Sequence, residues 1–134
     1  MNNEATIEIR RDRTNNNLES VSVVMPVWDK ENSDGSISIT MPFFGIKFHA
    51  FNNMDIDKLA KDAIKGFCIN CERFGLKLET ELLALGWQEL TKSTMVYKVD
   101  NFVFEQMVHT GEKHPQIIDF ESSSINENQL ELSH

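Results

Sequence analysis

The stretch NMDIDKLAKDAIKGFCINCERFG, from Asn53 to Gly75, limits what this chain can fold into more than any other. Its apolar residues are Ile56, Leu59, Ala60, Ala63, Ile64, Phe67, Cys71 and Phe74. Spacing of three and four places them on one helical face. Asn53 is expected to cap the first turn, its side-chain oxygen accepting from an unpaired amide. Asp55 and Asp57 put negative charge at the positive end of the helix dipole. Arg73 falls in the last turn, and Gly75 is expected to turn the chain left-handed and end the helix. A helix with one apolar stripe must be covered by a sheet or another helix. The flanking segments are therefore read as strands.

Leu18 to Trp28 alternates, with Val21, Val23, Met25 and Val27 facing one way. β-Branched residues at this period predict a strand. Pro26 cannot donate to a ladder, so that end is expected at a sheet edge or past the paired region. Asp29 to Gly35 reads as a polar turn, and Ser36 to Met41 as the second strand of a hairpin. Pro42-Phe43-Phe44-Gly45 breaks the alternation and predicts a bend. Ile46 to Phe51 is the third strand, with His49 and Lys47 opposite Ile46 and Phe48. Thr6 to Arg10 also alternates, and reads as a short edge strand or a frayed arm. Arg10, Arg11 and Arg13 are read as a solvated basic cluster.

Beyond the long helix, Leu78, Leu82 and Leu85 predict a short second helix stopped by Gly86, with Trp87 buried against it. Gln88 to Leu90 is ambiguous. Met95 to Val99 and Phe102 to Val108 read as a hairpin joined by Asp100-Asn101. Ile117, Ile118 and Phe120 predict a last strand or a docked segment. The fold class is thus α+β: an antiparallel three-stranded sheet, a long helix (β-β-β-α), a short second helix and a C-terminal hairpin. One domain is expected over residues 1–120, its core at about 18–108. Residues 121–134, rich in Ser, Asn and Glu, are expected to be a poorly ordered tail or to wrap the surface.

Composition narrows the function classes. Net charge is −8, which opposes the phosphate neutralisation that non-specific nucleic-acid binding needs. It suits solubility or a basic partner. No apolar run marks a signal peptide or a membrane span, and two cysteines make no disulfide framework, so a cytoplasmic location is the expectation.

Residues that could carry chemistry read mostly as structural. Cys68 and Cys71 have redox-motif spacing but lie late in the helix, away from the N-terminal dipole that activates a thiol. They are read as buried packing thiols. His49, His109, His114 and His134 are scattered; a metal pair at His109 and His114 is weaker than a solvated loop. No catalytic residue, cofactor or metal site is assigned. Asp29, Glu31 and Asp34 read as a solvated acidic turn that could meet a basic partner. Phe43 and Phe44 read either as core or as partner-binding anchors.

The order of these features, from Val21 to about Trp87, resembles the HicB-like antitoxin family. The residues that carry it are the strand Val21–Val27, the acidic turn with Asp34-Gly35, and the strand Ser36–Met41. Pro42 and Gly45 then stand at the family's proline-plus-glycine bend, and Ala60, Ala63 and Ile64 give the helix rhythm. Phe43-Phe44 departs from the commoner Leu there. The resemblance implies a truncated ribonuclease-H-like fold without nuclease carboxylates. It implies a non-enzymatic protein that neutralises a small basic mRNA-cleaving, HicA-like toxin and that self-associates as a homodimer. Many members also repress their operon through an appended DNA-binding segment. Residues 93–134 offer no basic helix pair, which argues against direct DNA binding.

Two alternatives stand beside it. One is a stand-alone oligomeric α+β domain, pairing through a sheet edge at Leu18–Trp28 or Phe102–Val108. The other is a small RNase H-like nucleic-acid-processing enzyme, which needs Asp29, Asp34, Asp55 or the histidines to converge.

Overall fold

Apolar residues at every second position build the sheet that the long helix covers. The computed structural model describes residues 2–100 and 112–121. The described strands are β1 (Asn2–Arg11), β2 (Leu18–Glu31), β3 (Ile37–Met41), β4 (Ile46–Ala50), β5 (Gln88–Glu89), β6 (Thr94–Asp100) and β7 (Glu112–Glu121). The helices are α1 (Ile56–Phe74) and α2 (Leu78–Leu85), with a 3-10 turn at Asn53–Asp55 ahead of α1. All pairings among the described strands are antiparallel. The class is α+β, and the expected three strands are one part of a seven-stranded sheet.

β2 is the strand on which the sheet is assembled. Ser20–Val24 pair with β1, Trp28–Glu31 pair with β3, and Ser20–Asp29 pair with β7. Ser20–Val24 are flanked by both β1 and β7, and Trp28 and Asp29 by both β3 and β7, so β7 takes one edge and the other two strands share the opposite edge. A fork opens between them at Met25, Pro26 and Val27, whose described strand partners lie in β7 alone. Pro26 sits in this fork, opposite Pro115, and costs neither the β1 nor the β3 ladder a donor. It does not end the strand, which continues to Glu31. The expected turn Asp29–Gly35 is correspondingly shorter. With both edges occupied at Ser20–Val24 and at Trp28–Asp29, β2 is not the free sheet edge expected at Leu18–Trp28.

β1 is neither an edge strand nor an arm. It lies between β2 and β6, and Ala5, Ile7 and Ile9 are buried. The inner face continues through Val21, Val23, Met25 and Val27, then Ile37, Ile39 and Met41, with Met95 and Ile118 at the flanks. α1 packs on this face through Ile56, Ala60, Ile64 and Cys68. These four recur at every fourth residue, and Ile69 and Cys71 continue the contact. Phe74 departs from the expected stripe: it is exposed, and the Arg73 guanidinium lies 5.3 Å from its ring centre.

The helix ends also differ from expectation. Asn52, not Asn53, caps the entry, its Oδ1 accepting from the Asp55 N–H over 3.1 Å. Gly75 ends α1 at φ −100°, not in the left-handed region. Glycine is required there by space: a Cβ would lie 2.9 Å from the Cys71 carbonyl oxygen and 2.7 Å from Glu81 Oε1. Leu78 and Leu82 of α2 are buried, as is Trp87. The expected hairpin strand Phe102–Val108 and all but the first residue of the 121–134 tail lie outside the described residues.

Candidate functional site

The expected acidic turn separates into two groups. Asp29 and Glu31 belong to β2, opposite Ile39 and Ile37, and so share the helix-covered side of the sheet. Asp29 is half-buried and Glu31 is exposed at the end of the strand. Asp34 lies in the turn proper. Its Oδ1 accepts from the Ser36 hydroxyl (2.6 Å) and the Ser36 N–H (3.0 Å). Those bonds, with the nearby His49 charge a lesser contribution, hold its carboxyl below the usual range. Asn32 braces the same turn through Ser36 and Ser38. These carboxylates form a margin at the β2–β3 end, not one pocket.

Phe43 and Phe44 occupy the Pro42–Gly45 turn, which Gly45 closes at φ +66°. That left-handed backbone is the one glycine adopts without strain. Met41 and this turn come next to the fork in β2, because β3 runs antiparallel to β2 towards it. The two rings are 1% and 3% exposed. Phe43 packs 5.0 Å from Tyr97 on β6, and Phe44 lies 5.2 Å from Trp87 and 5.4 Å from Phe67. Trp87 Nε1 donates to the Phe43 carbonyl over 2.9 Å. The anchor reading of both rings gives way to the core reading: the turn folds inward and joins the two arms of the fork.

Arg11 is the second departure. Its side chain is only 12% exposed. Nη1 and Nη2 meet Glu72 of α1 at 2.6 and 2.9 Å, and Nε meets Glu79 of α2 at 2.8 Å. Glu72 also accepts from the Leu78 N–H at 2.8 Å, capping α2. Bonds to Glu79 and then Glu72 raise the guanidinium pKa further. Burial alone would raise the Glu72 carboxyl, but Arg11 and the Leu78 N–H outweigh it and lower it. Glu79 is lowered chiefly by the Arg11 bond. Arg11 thus ties β1 to both helices. No local pattern announces this, because its partners lie far along the chain.

Catalytic chemistry finds little to stand on among the described residues. No group of three His, Cys, Asp or Glu is placed to hold a metal there. Cys68 and Cys71 are both buried and free. Burial raises both thiols, Cys71 to about 11, so neither is an activated nucleophile at neutral pH. His49 is exposed on β4. His114 lies on β7 opposite Val27, whereas His109 and His134 fall outside the described residues. Asp55 opens α1 and belongs to no group placed to hold a metal among the described residues. No described helix is long and apolar enough to cross a membrane. A scan against protein-family models gives no match, and searches of curated proteins and of solved structures give none either.

Proposed function

We propose that this chain is a HicB-like, antitoxin-type binding protein that covers a small basic mRNA-cleaving toxin. One observation carries the reading. The hairpin β2–β3, the Pro42–Gly45 turn, β4 and α1 follow in the family's order, in a chain of net charge −8. Within that reading the scaffold is ribonuclease-H-like, the chain self-associates, and no step of catalysis is its own. Glu31 and Asp34 at the β2–β3 margin are the contacts for the toxin's cationic surface, with Asp29 beside them. Complementary charge of this kind speeds encounter and selects the partner.

The test is co-expression with a small basic toxin encoded by the adjoining reading frame. A complex that co-purifies at low salt, weakens as salt rises and restores growth supports the proposal. A neighbour that is not basic, or a toxin that remains free and active, overturns it.

A further inference from the structure

We propose that β4 is a docking edge for an extended segment of another polypeptide, one in which carboxylates alternate with aliphatic side chains. The segment adds to the sheet as a further strand and seats one end on Phe51 and Met54.

Four observations converge on this margin. β4 pairs with β3 along its whole length and stands last in the sheet order, so its outer edge carries no strand among the described residues. Such an edge offers main-chain donors and acceptors at alternate residues. On the inner side, Ile46 and Phe48 are only partly covered, and an aliphatic side chain beside them extends the core. On the outer side, Lys47 and His49 are exposed. The Lys47 side chain makes no ion pair or hydrogen bond with another described residue, and Lys30 stands in the same row as His49, across Ser38. Directly after β4, Phe51 is 86% exposed and Met54 89%.

A lysine on an edge strand also discourages edge-to-edge pairing, and that accounts for Lys47. It does not account for two large apolar side chains left in water beside it. Charge selects the occupant. In an antiparallel pairing of β4 with a second copy that keeps the two faces and centres on Lys47, Lys47 meets the copy's Lys47. Like charges directly opposite are unfavourable, whereas a carboxylate there is favourable. The acidic, aliphatic segment fits both faces; a second copy fits one.

The probe is a blocked, fluorescein-labelled peptide of alternating Val and Glu, read by anisotropy with the full chain and by amide hydrogen exchange. A Val–Lys peptide and a Val–Glu peptide N-methylated on alternate residues are the controls. The expected result is binding of the Val–Glu peptide alone, with slowed exchange at residues 46–50. Lys47→Glu weakens binding about tenfold, because one cross-strand attraction becomes a repulsion and the remaining carboxylates lose their cation. Phe51→Ser with Met54→Ser weakens it further while the circular dichroism spectrum stays unchanged. No binding, equal binding of the Lys or N-methylated peptide, protection elsewhere, or indifference to Lys47→Glu overturns the proposal. Dimerisation that protects β4 without peptide also overturns it, in favour of a second copy.

Discussion

The indole of Trp87 donates to the main-chain carbonyl of Phe43, forty-four positions away in the chain. This bond, with the T-shaped contact of Trp87 and Tyr97 at 5.9 Å, joins the β3–β4 turn to β6 across the fork in β2. Trp87→Phe keeps much of the apolar surface but leaves a buried acceptor unmet, and is expected to cost about 1–3 kcal/mol. Trp87→Ala adds a cavity and is expected to cost about 3–5 kcal/mol. Urea unfolding followed by far-ultraviolet circular dichroism measures both. A loss below 0.5 kcal/mol in Trp87→Ala, on the scale of about that size expected at the surface, would show that the ring cluster is not structural.

Arg11 bridges two carboxylates. Arg11→Met leaves Glu72 and Glu79 half-buried without their cation, and is expected to cost about 1–3 kcal/mol after allowance for their partial exposure. The effect is conformational too: hydrogen exchange should accelerate in α2, whose first turn depends on the same carboxylate.

The pH dependence has a definite sign. Both carboxyls are lowered in the folded state relative to their ordinary value of 4.5. Their contribution is therefore complete above about 4.5 and disappears as pH falls through the lower folded-state values. Wild-type stability should decline through this acid range, and Arg11→Met should decline less. Equal slopes for the two proteins between pH 5 and pH 2, roughly the window in which such groups titrate, would remove the bridge as the cause.

Thiol chemistry gives an independent check on packing. Cys68 and Cys71 should resist iodoacetamide in the native protein at pH 8 and alkylate fully in urea, as mass spectrometry would record. Rapid native labelling at Cys68 would place that side of α1 in water.

Crowding at Gly75 predicts that Gly75→Ala destabilises, by about 1–3 kcal/mol, although its φ is one that alanine tolerates. A positive-φ explanation would make Asn a good substitute; a steric one makes Asn worse than Ala. Melting curves of the two variants decide between them.

For the toxin-binding reading, Glu31→Lys with Asp34→Asn reverses the margin while keeping an acceptor for Ser36. Association with a basic toxin should slow about tenfold at low salt and converge with wild type at high salt. No change in rate at low salt would move the contact elsewhere.

How much of this was legible in the residues depends on range. Val21 to Val27 and the Ala60-Ile64 face were readable, because period alone determines which side of a strand or helix is apolar. Phe74 obeys the same period and is exposed: periodicity locates a face but not where its cover ends. The alternation of Ala5, Ile7 and Ile9 was visible, yet its place between β2 and β6 depends on residues ninety positions onward. Arg11 looked solvated for the same reason, since its partners lie on two later helices. Phe43 and Phe44 were undecided between core and anchor, and the inward fold of a four-residue turn decided it. Asp29, Glu31 and Asp34 read as one loop only if β2 stops at Trp28, and it runs to Glu31.

The arrangement around β2 also bears on how the chain is made. Ser20 is paired with Glu121 and Asp29 with Glu112, so one side of the most heavily used strand waits for a segment synthesised long after it. Until that segment leaves the ribosome, Val21 to Val27 present an open, aliphatic ladder to every other nascent chain nearby. Pairings this distant also slow folding, because chain closure must precede the gain. Translation speed and chaperone supply should therefore govern the yield of this protein more than its final stability does.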